Sequence, residues 1–258
     1  MSRTPRRALL LASALVVAMV VPASVSANHS WGGYHWARTS NPFTLKLGDN
    51  VSGAWDAFLA TTSSDWSQST VLDTTVVQGS TRPKICKATT GMVQVCNSTY
   101  GNNGWLGVAS ISITGGTHIT KGFVKLNDTY FNTAAYNTTA WRNLVSCQEV
   151  GHTLGLDHQD ENFDNPNLGT CMDYTSNPST NQHPNQHDYD QLATIYAHLD
   201  STTTVAPAAP AASNAGGARL ADAAWGRLVA VTNHGHGAMY VRDLGAGNLV
   251  VTHVLWAA

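Results

Sequence analysis

Charge is scarce in this chain. Only 12% of its 258 residues are charged, against 43% hydrophobic. Glutamate is nearly absent: Glu149 and Glu161 are the only two, and every other acid is Asp. Positive charge is in the minority, 14 Lys and Arg against 16 Asp and Glu, which argues against a nucleic-acid partner. Long apolar runs are missing after Val21, so no later stretch could span a bilayer. Closely spaced cysteine pairs are lacking too, which argues against a zinc site built from cysteines alone.

What is present starts with a leader. Arg3, Arg6 and Arg7 precede an apolar run from Ala8 to Val21, which Pro22 breaks before the small-residue site Val25-Ser26-Ala27. Residues 1–27 read as a signal peptide, and the mature chain as secreted, with no membrane contact after cleavage. Eleven basic and sixteen acidic residues then remain, for a net charge of −5. Cys86, Cys96, Cys147 and Cys171 form an even set in an exported chain. That implies two disulfides with three possible pairings. Cys86–Cys96, closing a short loop, together with Cys147–Cys171, is favoured.

Alternation predicts strands at 43–47, 71–77, 105–114 and 119–126. Apolar spacing predicts helices at 51–67, capped by Asp49 or Asn50, from 137–139 to Leu154, and from Pro184 onward. Gly155 should end the second helix. Residues 201–218, rich in Thr, Ala, Pro and Gly, read as a linker between a domain at 28–200 and a β-rich region at 219–258. About forty residues without cysteine rarely fold alone, so that region should pack on the main domain or on a partner.

The chemistry gathers at Cys147-Gln148-Glu149-Val150-Gly151-His152-Thr153-Leu154-Gly155-Leu156-Asp157-His158. Positions 148 and 152 lie one helical turn apart and can face one metal. Val150 to His158, followed by Cys171-Met172-Asp173-Tyr174, resembles the metzincin zinc metallopeptidases, closest to their matrixin-like branch. The resemblance implies an α+β (mixed α/β) zincin domain and peptide-bond hydrolysis. His152 and His158 would bind one catalytic Zn2+, Glu149 would be the general base, Met172 the floor of the site, and Tyr174 an oxyanion stabiliser. It also implies a strand beside the cleft that pairs with a peptide or protein substrate, and Trp105 to Thr114 is the candidate.

One position departs: Gln148 stands where the family has its first zinc-binding His. Gln148 is the first choice for the third ligand through its amide oxygen. Asp157 is the second, and a remote histidine such as His118, His183 or His187 the third. Asp160, Glu161 and Asp164 could take Ca2+ through oxygens, and His234 and His236 are a weaker metal pair. The alternative function is a secreted, catalytically inactive binding protein that keeps the fold.

Overall fold

A computed structural model describes residues 28–205, 225–232 and 235–257. The expected leader, most of the expected linker, and His234 lie outside the described residues. The fold is mixed α+β. Its strands are β1 (His35–Trp36), β2 (Phe43–Asn50), β3 (Leu72–Gln78), β4 (Met92–Ser98), β5 (Trp105–Thr114), β6 (His118–Asn127), β7 (Arg227–Val231), β8 (Gly237–Gly245) and β9 (Asn248–Trp256). The helices are α1 (Asp56–Trp66), α2 (Asp128–Phe131), α3 (Thr139–Thr153) and α4 (Gln186–Ile195).

All nine strands join one sheet in the order β3-β2-β4-β6-β5-β9-β8-β7, with β1 pairing the start of β6. The β2, β3, β4 and β6 pairings are parallel, and those from β6 through β5, β9, β8 and β7 are antiparallel. Helices α1 and α3 pack together, and α3 also packs on β5 and β6. Leu45, Leu47, Leu59, Trp66, Val93, Leu106, Val145 and Val150 belong to the core.

The expectation that the tail packs on the main domain holds in a specific form. Strand β9 pairs with β5 along nearly its whole length, with His253 opposite Ala109. This corrects one expectation. Trp105–Thr114 offers no free edge to a substrate strand, because β6 and β9 already pair with β5 on its two sides.

Helix α1 also starts later than its apolar spacing suggests. The Asn50 amide donates to the Gly48 carbonyl and the Gln94 side chain, and its oxygen accepts from Thr81, so it belongs to the sheet and caps no helix. Helix α3 starts as expected. The Thr138 hydroxyl accepts from the Trp141 amide, filling one of the donors a helix start leaves open. It ends before Gly155, which has φ +99°. A Cβ there would lie 2.1 Å from the Tyr34 carbonyl oxygen. Gly155→Ala therefore meets both a disfavoured dihedral and a backbone clash. It should destabilise the protein by about 3 kcal/mol or more, read as a lowered urea midpoint.

Candidate metal centre

Helix α3 carries Gln148, Glu149 and His152 into the interior, where Glu149 is fully buried and His152 is 1% exposed. The chain then turns at Gly155 and returns His158 to the same place. The two imidazole rings stand 4.6 Å apart, nearly perpendicular. The expected Cys147–Cys171 disulfide is present and ties α3 to the loop bearing Met172. Met172 lies beneath the helix, where a Cβ on Gly151 would come within 2.6 Å of its sulfur. The Cys86–Cys96 bridge is present as well.

The third imidazole comes from the tail. The His253 ring on β9 lies tilted at 4.1 Å from that of His152 and 4.8 Å from that of His158. One ligand nitrogen from each of His152, His158 and His253 lies within 4.8 Å of the others. His152 Nδ1 is held by the Leu156 carbonyl at 2.9 Å, which leaves its Nε2 as the lone-pair nitrogen. That Nε2, both nitrogens of His158 and Nδ1 of His253 are buried without hydrogen bonds. Buried polar atoms are normally paired, so this concentration of orphans marks a place shaped for a ligand. Three imidazoles suit a borderline divalent ion such as zinc. They do not suit calcium, which takes oxygen ligands.

Electrostatics agree with that donor set. Burial holds the pKa of His152 and His158 well below the usual imidazole range and brings His253 to about 4, so all three are neutral at pH 7. Burial pushes Glu149 up to about 8, against the opposing pull of His152 and the Ala109 backbone. Glu149 Oε2 lies 3.5 Å from His253 Nδ1. It packs so tightly on β5 that a Cβ on Gly107 would lie 2.5 Å from its Oε1.

These shifts predict acid lability of the metal-free chain. Unfolded His253 takes its proton near pH 6.5 and folded His253 only near 4. Its contribution is therefore intact above 6.5 and lost as pH falls towards 4, by about 3 kcal/mol. His152 and His158 act in the same direction. Glu149 opposes them, since the cost of burying it grows as pH rises from 4.5 to about 8. Three imidazoles outweigh one carboxyl, so urea unfolding of chelator-treated protein should show lower stability at pH 5 than at pH 7. Equal stability would contradict the assignment.

The other expected residues take varied positions. The Gln148 amide nitrogen donates to the Cys171 carbonyl at 2.9 Å, while its oxygen is buried without a partner. The Tyr174 hydroxyl bonds His253 Nε2 at 2.8 Å, and its ring stacks on His158. Gly237 makes room for it, since a Cβ there would fall 1.8 Å from that hydroxyl. Asp157 Oδ1 lies 3.4 Å from His158 Nδ1. His183 pairs with Asp65, His187 meets His29, and His118 pairs with Asp200, so none of these three joins the centre. His236 packs on Phe163. Asp160 accepts from the Asn162 backbone and the Asn165 side chain. Among the described residues neither Asp160 nor Asp164 belongs to a metal-capable cluster, while Glu161 does, with Asp157 and His158.

The tail also covers the centre. Ala230, Thr232, Ala238 and Met239 lie over His158 and His253 and leave a gap of about 40 Å³. On the other side a cavity of about 320 Å³ runs past Leu144, Gln148, Tyr174, Leu255 and Trp256.

His253 is the residue that motif reasoning missed. Its available signal was a Thr-His pair inside the apolar run Leu249–Leu255. Among the described residues, no helix is long and apolar enough to cross a membrane.

No family profile and no curated protein matches the chain. Among solved structures, the chain is similar to myroilysin at 13% identity and a TM-score of 0.36, over 68% of this chain and 97% of that one. It is also similar to high choriolytic enzyme 1, a hatching-enzyme zinc protease of the medaka fish Oryzias latipes. That match has 11% identity and a TM-score of 0.34, over 69% of this chain and 98% of the other. Overlap this loose leaves the chemistry to be read from this chain's own residues.

Proposed function

We propose that the chain is a secreted, zinc-dependent metalloendopeptidase of metzincin type, whose metal is held by His152, His158 and His253. The observation that supports this most is the meeting of three buried, neutral imidazoles beside the carboxylate of Glu149. Three protein ligands leave a fourth position open, as hydrolytic zinc sites require. A bound zinc would supply Lewis acidity and a water acidified to near neutrality. Glu149 takes a proton from the attacking water and returns it to the leaving amine. In the metal-free chain burial holds Glu149 protonated up to about pH 8; the positive charge of a bound zinc would lower that value and free the carboxylate to act as base. Tyr174 orients His253 through its hydroxyl, and can donate to the oxyanion once substrate is seated. Gln148 has its amide nitrogen committed to the Cys171 carbonyl and its oxygen buried, so it braces α3 against the Met172 loop.

Secretion is supported by the leader sequence and by two disulfides in a chain with no free cysteine among the described residues. The substrate class is peptide or protein, since the motif resemblance is to peptidases.

One observation favours a second reading. The three imidazoles are 1%, 7% and 4% exposed, and the tail covers them. A protein that keeps the centre as a structural metal site and binds a partner elsewhere would look the same. Hydrolysis of an unfolded protein substrate separates the two. The peptidase reading expects cleavage that a chelator abolishes and zinc restores. No cleavage by fully zinc-loaded protein, or cleavage that a chelator leaves untouched, contradicts it.

A further inference from the structure

A second group of histidines lies away from the centre, around Asp200. Asp200 Oδ1 is 3.2 Å from His118 Nε2 and 3.7 Å from the Nε2 atoms of His35 and His198. His35 Nε2 and His198 Nε2 are 3.2 Å apart. Three imidazole nitrogens thus face one carboxylate oxygen. We infer that His35, His198 and Asp200, with His118 hydrogen-bonded to the carboxylate at its rim, form a second, structural binding site for a divalent transition ion, with zinc the best fit.

The geometry carries the inference. A tetrahedral zinc with ligand bonds of 2.0–2.1 Å sets its ligand atoms about 3.3 Å apart. The separations among His35, His198 and Asp200, at 3.2, 3.7 and 3.7 Å, bracket that edge, and their ligand atoms all lie within 4.8 Å of one another; His118, 3.2 Å from Asp200 Oδ1, stands outside that set.

The surroundings orient the donors. His35 Nδ1 is engaged by the Gly33 carbonyl at 2.9 Å, which fixes the tautomer and turns the Nε2 lone pair towards Asp200. The other carboxylate oxygen, Oδ2, is held by the Arg38 guanidinium at 2.8 Å and the Arg38 backbone amide at 3.1 Å. Oδ1 is thereby left to face the histidines. His35 is buried and Asp200 half-buried, while His118 and His198 admit solvent.

The fold brings these residues together from three places. His35 and His118 are direct partners in the parallel pairing of β1 with β6. Past α4, the Asp200 amide donates to the Arg38 carbonyl and the Thr204 amide to the Ala37 carbonyl, which lays the end of the main domain along β1. An ion here would pin the start of the mature domain to its end. Its role is stability, by joining β1 to the segment past α4. The inference does not rest on the function proposed above.

Zinc stoichiometry tests it. The full chain is stripped with chelator, dialysed against zinc and then buffer, and its bound zinc is counted by elemental analysis. Wild type should hold two equivalents. The double variant His118→Ala/His198→Ala should lose one, while His152→Ala/His253→Ala loses the other. Both mutated residues of the first variant are partly exposed, and circular dichroism checks that it folds. If wild type holds one equivalent and the His118/His198 variant loses it, this site stands and the peptidase centre falls. If the His118/His198 variant holds as much zinc as wild type, the second site is overturned.

Discussion

His253→Ala should lower zinc affinity at the α3 centre by at least about 10²-fold and abolish hydrolysis with it. Zinc binding of roughly 10–16 kcal/mol, shared among four ligands, gives each about 3 kcal/mol. The substitution leaves His152 and His158 with no third imidazole, since His118, His183 and His187 are held elsewhere. The β5–β9 backbone pairing does not depend on the side chain, so the tail should stay docked. Competition with a chromophoric chelator gives the affinity. Gln148→Ala is the matched control, and its affinity should change far less. Wild-type affinity in His253→Ala, with a loss in Gln148→Ala, would restore Gln148 as the third ligand.

Glu149→Gln should reduce hydrolysis by about 10³-fold while zinc content stays at the wild-type level. The amide keeps the shape of a side chain that packs against Gly107, so a structural role would survive the change. On the proposed mechanism the substitution removes the proton acceptor. Single-turnover cleavage by the zinc-loaded variant isolates the chemical step. Hydrolysis within a few-fold of wild type would show that Glu149 is not the base.

These two residues also mark how much the sequence disclosed. Glu149, His152, Gly155 and His158 sit at fixed local spacing, and a helix followed by a turn converts that spacing directly into geometry. Both disulfides, the helix start at Thr138 and strands β2, β3, β5 and β6 were legible for the same reason, since each depends on short-range pattern, whereas β4 was not read as a strand. His253 was not, because it reaches the centre only through the register of β9 on β5, which no local spacing encodes. The substrate-edge role expected for Trp105–Thr114 failed on the same point: the tail occupies that edge. Asn50 misled as a helix cap because its side chain is claimed by Gln94 and Thr81, both distant in sequence.

The most direct measurement is anomalous diffraction at the zinc edge from crystals of the zinc-loaded full chain. A peak bonded at 2.0–2.1 Å to nitrogens of His152, His158 and His253, with Glu149 beside an open position, is the predicted result. A peak bonded to Gln148 and not to His253, or no peak between His152 and His158, would contradict it.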